Sequence, residues 1–303
     1  MSQEILKDEI DLYKLFEILW RKKIFIITLT FFAAIFSVFY SLSLPNIYTS
    51  KSLVASNISN HSSGDYGSFS SLVGIAGLPP IETHPKAKEA IARIKSFEFF
   101  ENYFLPSIKL ENLMAVSEWN RKDDLIIYNE KIFDVESGKW KRNVSFPKQA
   151  IPSNQEAFKV FQNLLNVNEN IKTGFINISI SHHSPNLARK WVDLIISKIN
   201  ENLSEVDKEA AKRSIIFLES TLINANIQSV KRVVSNLLEA QVQTLMLASS
   251  NEEYVFKVLD SPIAPEIKSS PRRSIICIIG TLMGGFLSIL VVLFQFYRKS
   301  FKS

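Results

Sequence analysis

Two uncharged apolar runs, Ile24 to Leu44 and Ile275 to Tyr297, stand near the two ends of the chain. Between them the hydrophobic positions recur with the shorter periods of strands and amphipathic helices. Each end run has more than 20 residues. At about 1.5 Å per residue, a helix of that length covers the roughly 30 Å hydrocarbon core of a bilayer. The pattern therefore predicts a cytoplasmic N-terminal segment 1–23, transmembrane helix 24–44, a large outer domain 45–274, transmembrane helix 275–297 and a cytoplasmic tail 298–303.

Inside the outer domain, Tyr48–Ser56 reads as a strand that starts soon after Pro45 ends the first span. Residues 57–80 are Ser-rich and hold four of the nine glycines, so they read as loop around the apolar piece Leu72–Leu78. Ala90, Ile91, Ile94, Phe97, Phe100 and Phe104 have helical spacing, which predicts one helix over 86–104. Residues 105–152 show little period. Ser153 to Glu156 is a capping-box pattern ahead of a helical face of Ala157, Phe158, Phe161, Leu164 and Leu165. Ile176, Ile178 and Ile180 alternate with polar residues as a half-buried strand, and Ser184-Pro185 then opens a helix.

Asn186 to Ser261 is 76 residues without glycine or proline, closed by the alternation of Tyr254, Phe256 and Val258. If the strands on both sides of this run share a sheet, an unbroken helix of about 60 residues would end about 90 Å from it. Too few residues remain to return, so the helix must fold back. The weakest helical stretch is 224–229, and Asn224, Asn226 and Ser229 are the expected turn residues. Ile227, Val230, Val234 and Leu237 step by three and four as a packing seam. The expected fold class is α+β: two transmembrane helices flanking an α/β base (45–185 and 250–274) with a long helical hairpin over about 186–249.

Charge orients this arrangement. Lys7, Lys14, Arg21, Lys22 and Lys23 precede the first span, and Arg298, Lys299 and Lys302 follow the second. Short basic flanks stay inside, which places 45–274 outside, in a periplasm for a Gram-negative cell. The first run exceeds a usual signal core, and five acids offset the five bases before it, so it is expected to be retained. The outer domain carries 27 bases against 25 acids, which gives no nucleic-acid face. Its cysteine count is zero, because Cys277 lies in the second span.

Little in the chain resembles a catalytic or cofactor site. His182 and His183 have no further ligands at metal-binding spacing, so they read as ordinary surface residues. Lys139 to Arg142 reads as an exposed basic loop before it reads as a sugar or phosphate grip. No nucleophile–base pairing and no phosphate cradle are visible, so the chain is expected to be no enzyme, with no cofactor and no metal. Gly280 and Gly284, with Ser288 one turn on, are spaced for close approach of two membrane helices, against the plainer reading of generic membrane-helix glycines. Pro262, Pro265 and Pro271 stiffen the junction before the second span, or form a simple linker.

Taken in order, several pieces resemble the Wzz-type polysaccharide chain-length determinants, or polysaccharide co-polymerases. They are the run Ile10–Lys23, Leu72–Leu78, Ala90–Phe99, Gly174–Ile180, Leu245–Ala248, and the proline-punctuated exit Val258–Pro265 followed by Ser270–Arg273. The resemblance implies a non-catalytic regulator of the length of O-antigen or a related surface glycan, multi-pass in a bacterial inner membrane. As partners it implies further copies in a ring, a membrane polymerase, the bilayer and a lipid-linked glycan. Relatives that fuse a cytoplasmic tyrosine kinase carry a phosphate-binding loop, and no such motif occurs here. An adaptor of capsule or exopolysaccharide export stays open as an alternative. A membrane-fusion subunit of an efflux pump is opposed by the second span.

Overall fold

The computed structural model describes residues 12–57, 85–225 and 227–300. Leu72–Leu78, most of the 57–80 loop and Asn226 lie outside the described residues. The chain divides into two compact units, Met1–Asn46 with Ser269–Ser303, and Ile47–Lys268.

In the first unit a short helix α1 (Leu12–Arg21) leads almost at once into α2 (Lys23–Ser43), and α8 (Arg273–Ser300) packs along α2. Both α2 and α8 are long and apolar enough to cross a membrane. A core helix of a soluble protein would hide its large side chains. Here Phe32, Phe36 and Phe39 on α2 and Leu282 and Phe286 on α8 are all exposed, which suits a lipid surround.

The second unit is built on one antiparallel sheet in the order β6-β7-β1-β8. Its strands are β1 (Tyr48–Ser56), β6 (Leu165–Glu169), β7 (Ile176–His182) and β8 (Phe256–Asp260). Tyr48 pairs with His182 and Val54 with Ile176, so the cleanest alternating run sits at the sheet centre. Ile176, Ile178 and Ile180 point into the core, while Asn177 and Ser179 point out. On the outward face they join Thr49, Lys51, Asn166 and Asn168 along an open groove of about 640 Å³.

Helix α6 (Pro185–Asn224) covers the inner face. Ser184 caps it by accepting from the amide of Leu187 at 3.3 Å. Ala188, Trp191, Val192, Ile195, Ile199 and Leu203 fall on one stripe and are fully buried against the strands. Each such large aliphatic or aromatic side chain contributes about 1.5–3 kcal/mol through burial. Phe100, Phe104 and Phe161 extend this core, with Phe104 4.5 Å from Phe161 and 5.7 Å from Trp191. The N-terminal half of α6 therefore belongs to the base. The antiparallel hairpin with α7 (Gln228–Ser250) is formed by the half beyond Leu203.

Several expectations need correction. The helix expected over 86–104 is broken. α3 (Pro85–Ile94) ends before Ser96, whose hydroxyl accepts from the amide of Phe99 and starts a new turn. That turn, Phe97–Phe99, passes into a π-helical turn, Phe100–Phe104, and a 3-10 turn, Leu105–Ser107. Leu165 is not on the helix that precedes it: α5 (Asn154–Leu164) stops and β6 begins there, because the backbone pairs with Ile180. Residues 105–152 hold α4 (Leu110–Met114) and two small hairpins, β2 (Val116–Asn120) with β3 (Leu125–Tyr128) and β4 (Phe133–Asp134) with β5 (Lys139–Trp140). Of the expected seam only Val234 is buried; Ile227, Val230 and Leu237 stay exposed.

Candidate functional site

Three places carry the chain's distinctive residues: the α2–α8 pair, the proline exit and the hairpin. In the pair, small residues stand opposite small residues. A Cβ added to Gly280 would lie 2.5 Å from that of Ser37, and one added to Gly284 would lie 2.3 Å from that of Ala33. Those separations are far inside van der Waals contact, so the helices sit as close as their backbones allow. The Gly280 and Gly284 face is thus turned onto α2 of the same chain. Ser288, one turn on, is fully buried and bonds back to the carbonyl of Gly285 at 2.6 Å. The matching signal on α2 is the trio Ala33, Ser37 and Ser41 at four-residue spacing, which the sequence reading passed over.

At the exit, β8 leaves its ladder with a register shift beside Leu53, and Pro262 follows two residues after Asp260. A proline has no amide to donate, so a ladder cannot continue through it. Serine hydroxyls of β1 take over. Ser52 donates to the carbonyl of Asp260 at 2.7 Å, and Ser50 donates to the carbonyl of Ile263 at 2.8 Å. Pro262 is buried and Pro265 half-buried. In the other unit, Pro271 follows a cis peptide bond, and Arg273 donates to the side chain of Asn46 at 3.2 Å.

In the hairpin, α6 ends at Asn224, whose amide donates to the carbonyl of Ser220 at 2.9 Å. Ser229 is not in the turn: α7 starts at Gln228, which puts Ser229 in its first helical turn. Further down, Ser204 donates to the carbonyl of Ala248 at 2.8 Å and ties the two helices at their base. Tyr254 donates to Asp207 at 2.6 Å, and burial together with that bond holds its phenol well above the ordinary range.

The remaining candidates are consumed by the fold. His182 is a core residue and not a surface one, being 3% exposed. The amide of Ser184 donates to its Nδ1 at 3.0 Å, so the proton sits on Nε2 and is donated to the carbonyl of Asn112. Desolvation pushes its pKa down to about 4. In the Lys139–Arg142 cluster, Lys139–Trp140 is β5 and the two cations that follow it are engaged. Lys141 pairs with Asp134 at 2.8 Å and holds that carboxyl at about 2, while Arg142 pairs with Glu156 at 2.6 Å. Ser153 accepts from the amide of Glu156, but the glutamate reaches Arg142 instead of returning to the cap. Among the described residues no group of three or more His, Cys, Asp or Glu is placed to hold a metal ion.

Residues 8–104 match the family model described as Wzz, chain length determinant protein. That stretch, about a third of the chain, is similar to the Wzz chain length determinant domain. No curated protein matches the sequence. Among solved structures it is similar to a full-length bacterial polysaccharide co-polymerase, with 14% identity, 98% of this chain and 100% of that chain covered, and a TM-score of 0.41. It is also similar to a fragment of WzzB, a polysaccharide co-polymerase from Salmonella Typhimurium, with 12% identity, 74% and 100% covered, and a TM-score of 0.30. The matched stretch embraces α2 and β1, and so takes in the α2 side of the small-residue face and the serines that secure the proline exit.

Proposed function

We propose that this chain is a non-catalytic regulator of polysaccharide chain length, working as a scaffold of several copies with a membrane polymerase. The observation that carries the reading is the match to the chain length determinant model over residues 8–104, which begins ahead of α2 and runs into the sheet unit. Paired apolar helices suit a protein held in the inner membrane, with both short basic ends in the cytoplasm and 45–274 in the periplasm. The exposed apolar residues of the hairpin, among them Phe217 at 68% and Ile223 at 82%, favour assembly with further copies. The close seam of Gly280, Gly284 and Ser288 would keep the two spans of each copy together. O-antigen or a related glycan on a lipid carrier is the product whose length is set.

Deleting the gene should leave polymer synthesis running while the length distribution broadens or shifts on a gel of surface glycans. Complete loss of polymer would point to an export adaptor instead. Reporter fusions at Lys302 and Lys148 should report cytoplasm and periplasm; the reverse would overturn the topology.

A further inference from the structure

We propose that α1 is an interfacial anchor whose aromatic face lies in the bilayer surface while the basic residues at its end hold anionic phospholipid headgroups. Phe16 and Trp20 are one helical turn apart, stacked at 5.8 Å, and 61% and 60% exposed. Both rings stay largely bare with the Lys23 ammonium near Trp20, and large aromatic side chains bared together mark a surface that meets a partner. The position of the helix says which partner. α1 ends at Arg21 and α2 begins at Lys23, so a single residue separates the aromatic face from a helix long enough to span a bilayer. A helix tethered that closely stays at headgroup level, the depth at which Trp and its neighbours settle in membrane proteins.

Charge selects the lipid. Arg21, Lys22 and Lys23 stand together at the junction. Glu17 is the one acid within α1 and pairs with Arg21 at 3.7 Å, and the other four acids of the segment, Glu4, Asp8, Glu9 and Asp11, all precede the helix in sequence. Lys23 holds its ammonium 4.7 Å from the centre of the Trp20 ring, so one cation and the aromatic anchor sit together at the same depth. A basic side chain close to an anionic leaflet gains about fivefold in partitioning. The occupant is therefore a phospholipid with an anionic headgroup, in the leaflet on the side of the chain's N-terminus.

The test uses the full chain reconstituted in mixed phosphatidylglycerol–phosphatidylcholine vesicles with one lipid brominated on its acyl chains. Trp20 emission is obtained as the difference between the wild type and Trp20→Phe, whose outer-unit tryptophan signal checks folding. Brominated phosphatidylglycerol should quench Trp20 several-fold more effectively than brominated phosphatidylcholine at equal content. Lys22→Gln with Lys23→Gln should abolish most of that several-fold preference, with quenching in uniformly brominated vesicles retained. Trp20 unquenched in uniformly brominated vesicles would overturn the proposal and assign the face to a protein partner or a second copy. Equal quenching by the two lipids in the wild type would overturn the headgroup assignment. Neither result bears on polymer length, so the chain-length reading stands or falls separately.

Discussion

The carboxamide of Asn200 exchanges a pair of hydrogen bonds with the backbone of Phe256. Its Oδ1 accepts from the amide of Phe256 at 2.8 Å, and its Nδ2 donates to the carbonyl at 3.0 Å. The same oxygen accepts from the amide of Val255 at 2.8 Å. One buried side chain on α6 thus starts β8 where the chain returns from the hairpin.

Asn200→Leu keeps the branching and heavy-atom count and leaves two amides and a carbonyl buried without the side-chain partner. Each such group costs about 1–3 kcal/mol. Urea unfolding of the full chain in detergent should show at least about 3 kcal/mol lost. A loss under about 1 kcal/mol would mean that water replaces the side chain.

The pH dependence follows from His182. The folded protein keeps it neutral down to about pH 4, whereas an unfolded chain protonates it near the ordinary value of 6.5. Between those values the unfolded state binds the extra proton. Stability therefore falls as pH drops from about 6.5 to about 4, by up to about 3 kcal/mol, and this contribution is flat below. His182→Gln retains a donor for Asn112 and an acceptor for Ser184, and should remove that slope. An unchanged slope in the variant would place its origin elsewhere.

In the α2–α8 pair, Gly284→Ala forces a methyl onto that of Ala33 and should cost about 1–3 kcal/mol through overpacking. Ala33→Gly removes the opposing methyl, so the double variant should recover most of the loss. Thermal unfolding in detergent and glycan length on gels would both follow the cycle. Additive losses in the double variant would show that the two positions do not meet.

Ser50→Ala with Ser52→Ala frees two carbonyls of the exit, those of Ile263 and Asp260. Hydrogen exchange over 259–268 should then rise while the amides of β7 stay protected. Faster exchange throughout the sheet would instead mean that the serines support β1 itself.

Elements with one dominant period were legible from sequence. Helices cover the two apolar runs, β1 and β7 appear at nearly their expected bounds, and the fold-back falls between Asn224 and Gln228, where short polar residues weaken the helix. What was hidden depended on contacts remote in sequence. Leu165 continues an apolar helical spacing, yet pairing with Ile180 makes it strand. Ser96 sits inside a helical pattern and breaks it through its own hydroxyl. His182 looked like a surface residue because Asn112, which accepts its proton, is 70 positions away. At the candidate seam, Gly280 and Gly284 were visible by spacing, but their counterparts Ala33 and Ser37 are unremarkable until the two helices are set side by side.

Helix α6 runs for 40 residues with its first half clamped to the sheet and its second half forming the hairpin. At 1.5 Å per residue that is a rod of about 60 Å, and after Pro185 it contains neither proline nor glycine at which to flex. Such a rod acts as a lever. A sideways load at the Asn224 tip is not absorbed by a hinge but arrives as torque on the layer of Trp191, Ile195 and Ile199 that grips the strands. Whatever touches the tip is therefore felt mechanically at the sheet, whose central strand β1 also fastens the exit through Ser50 and Ser52.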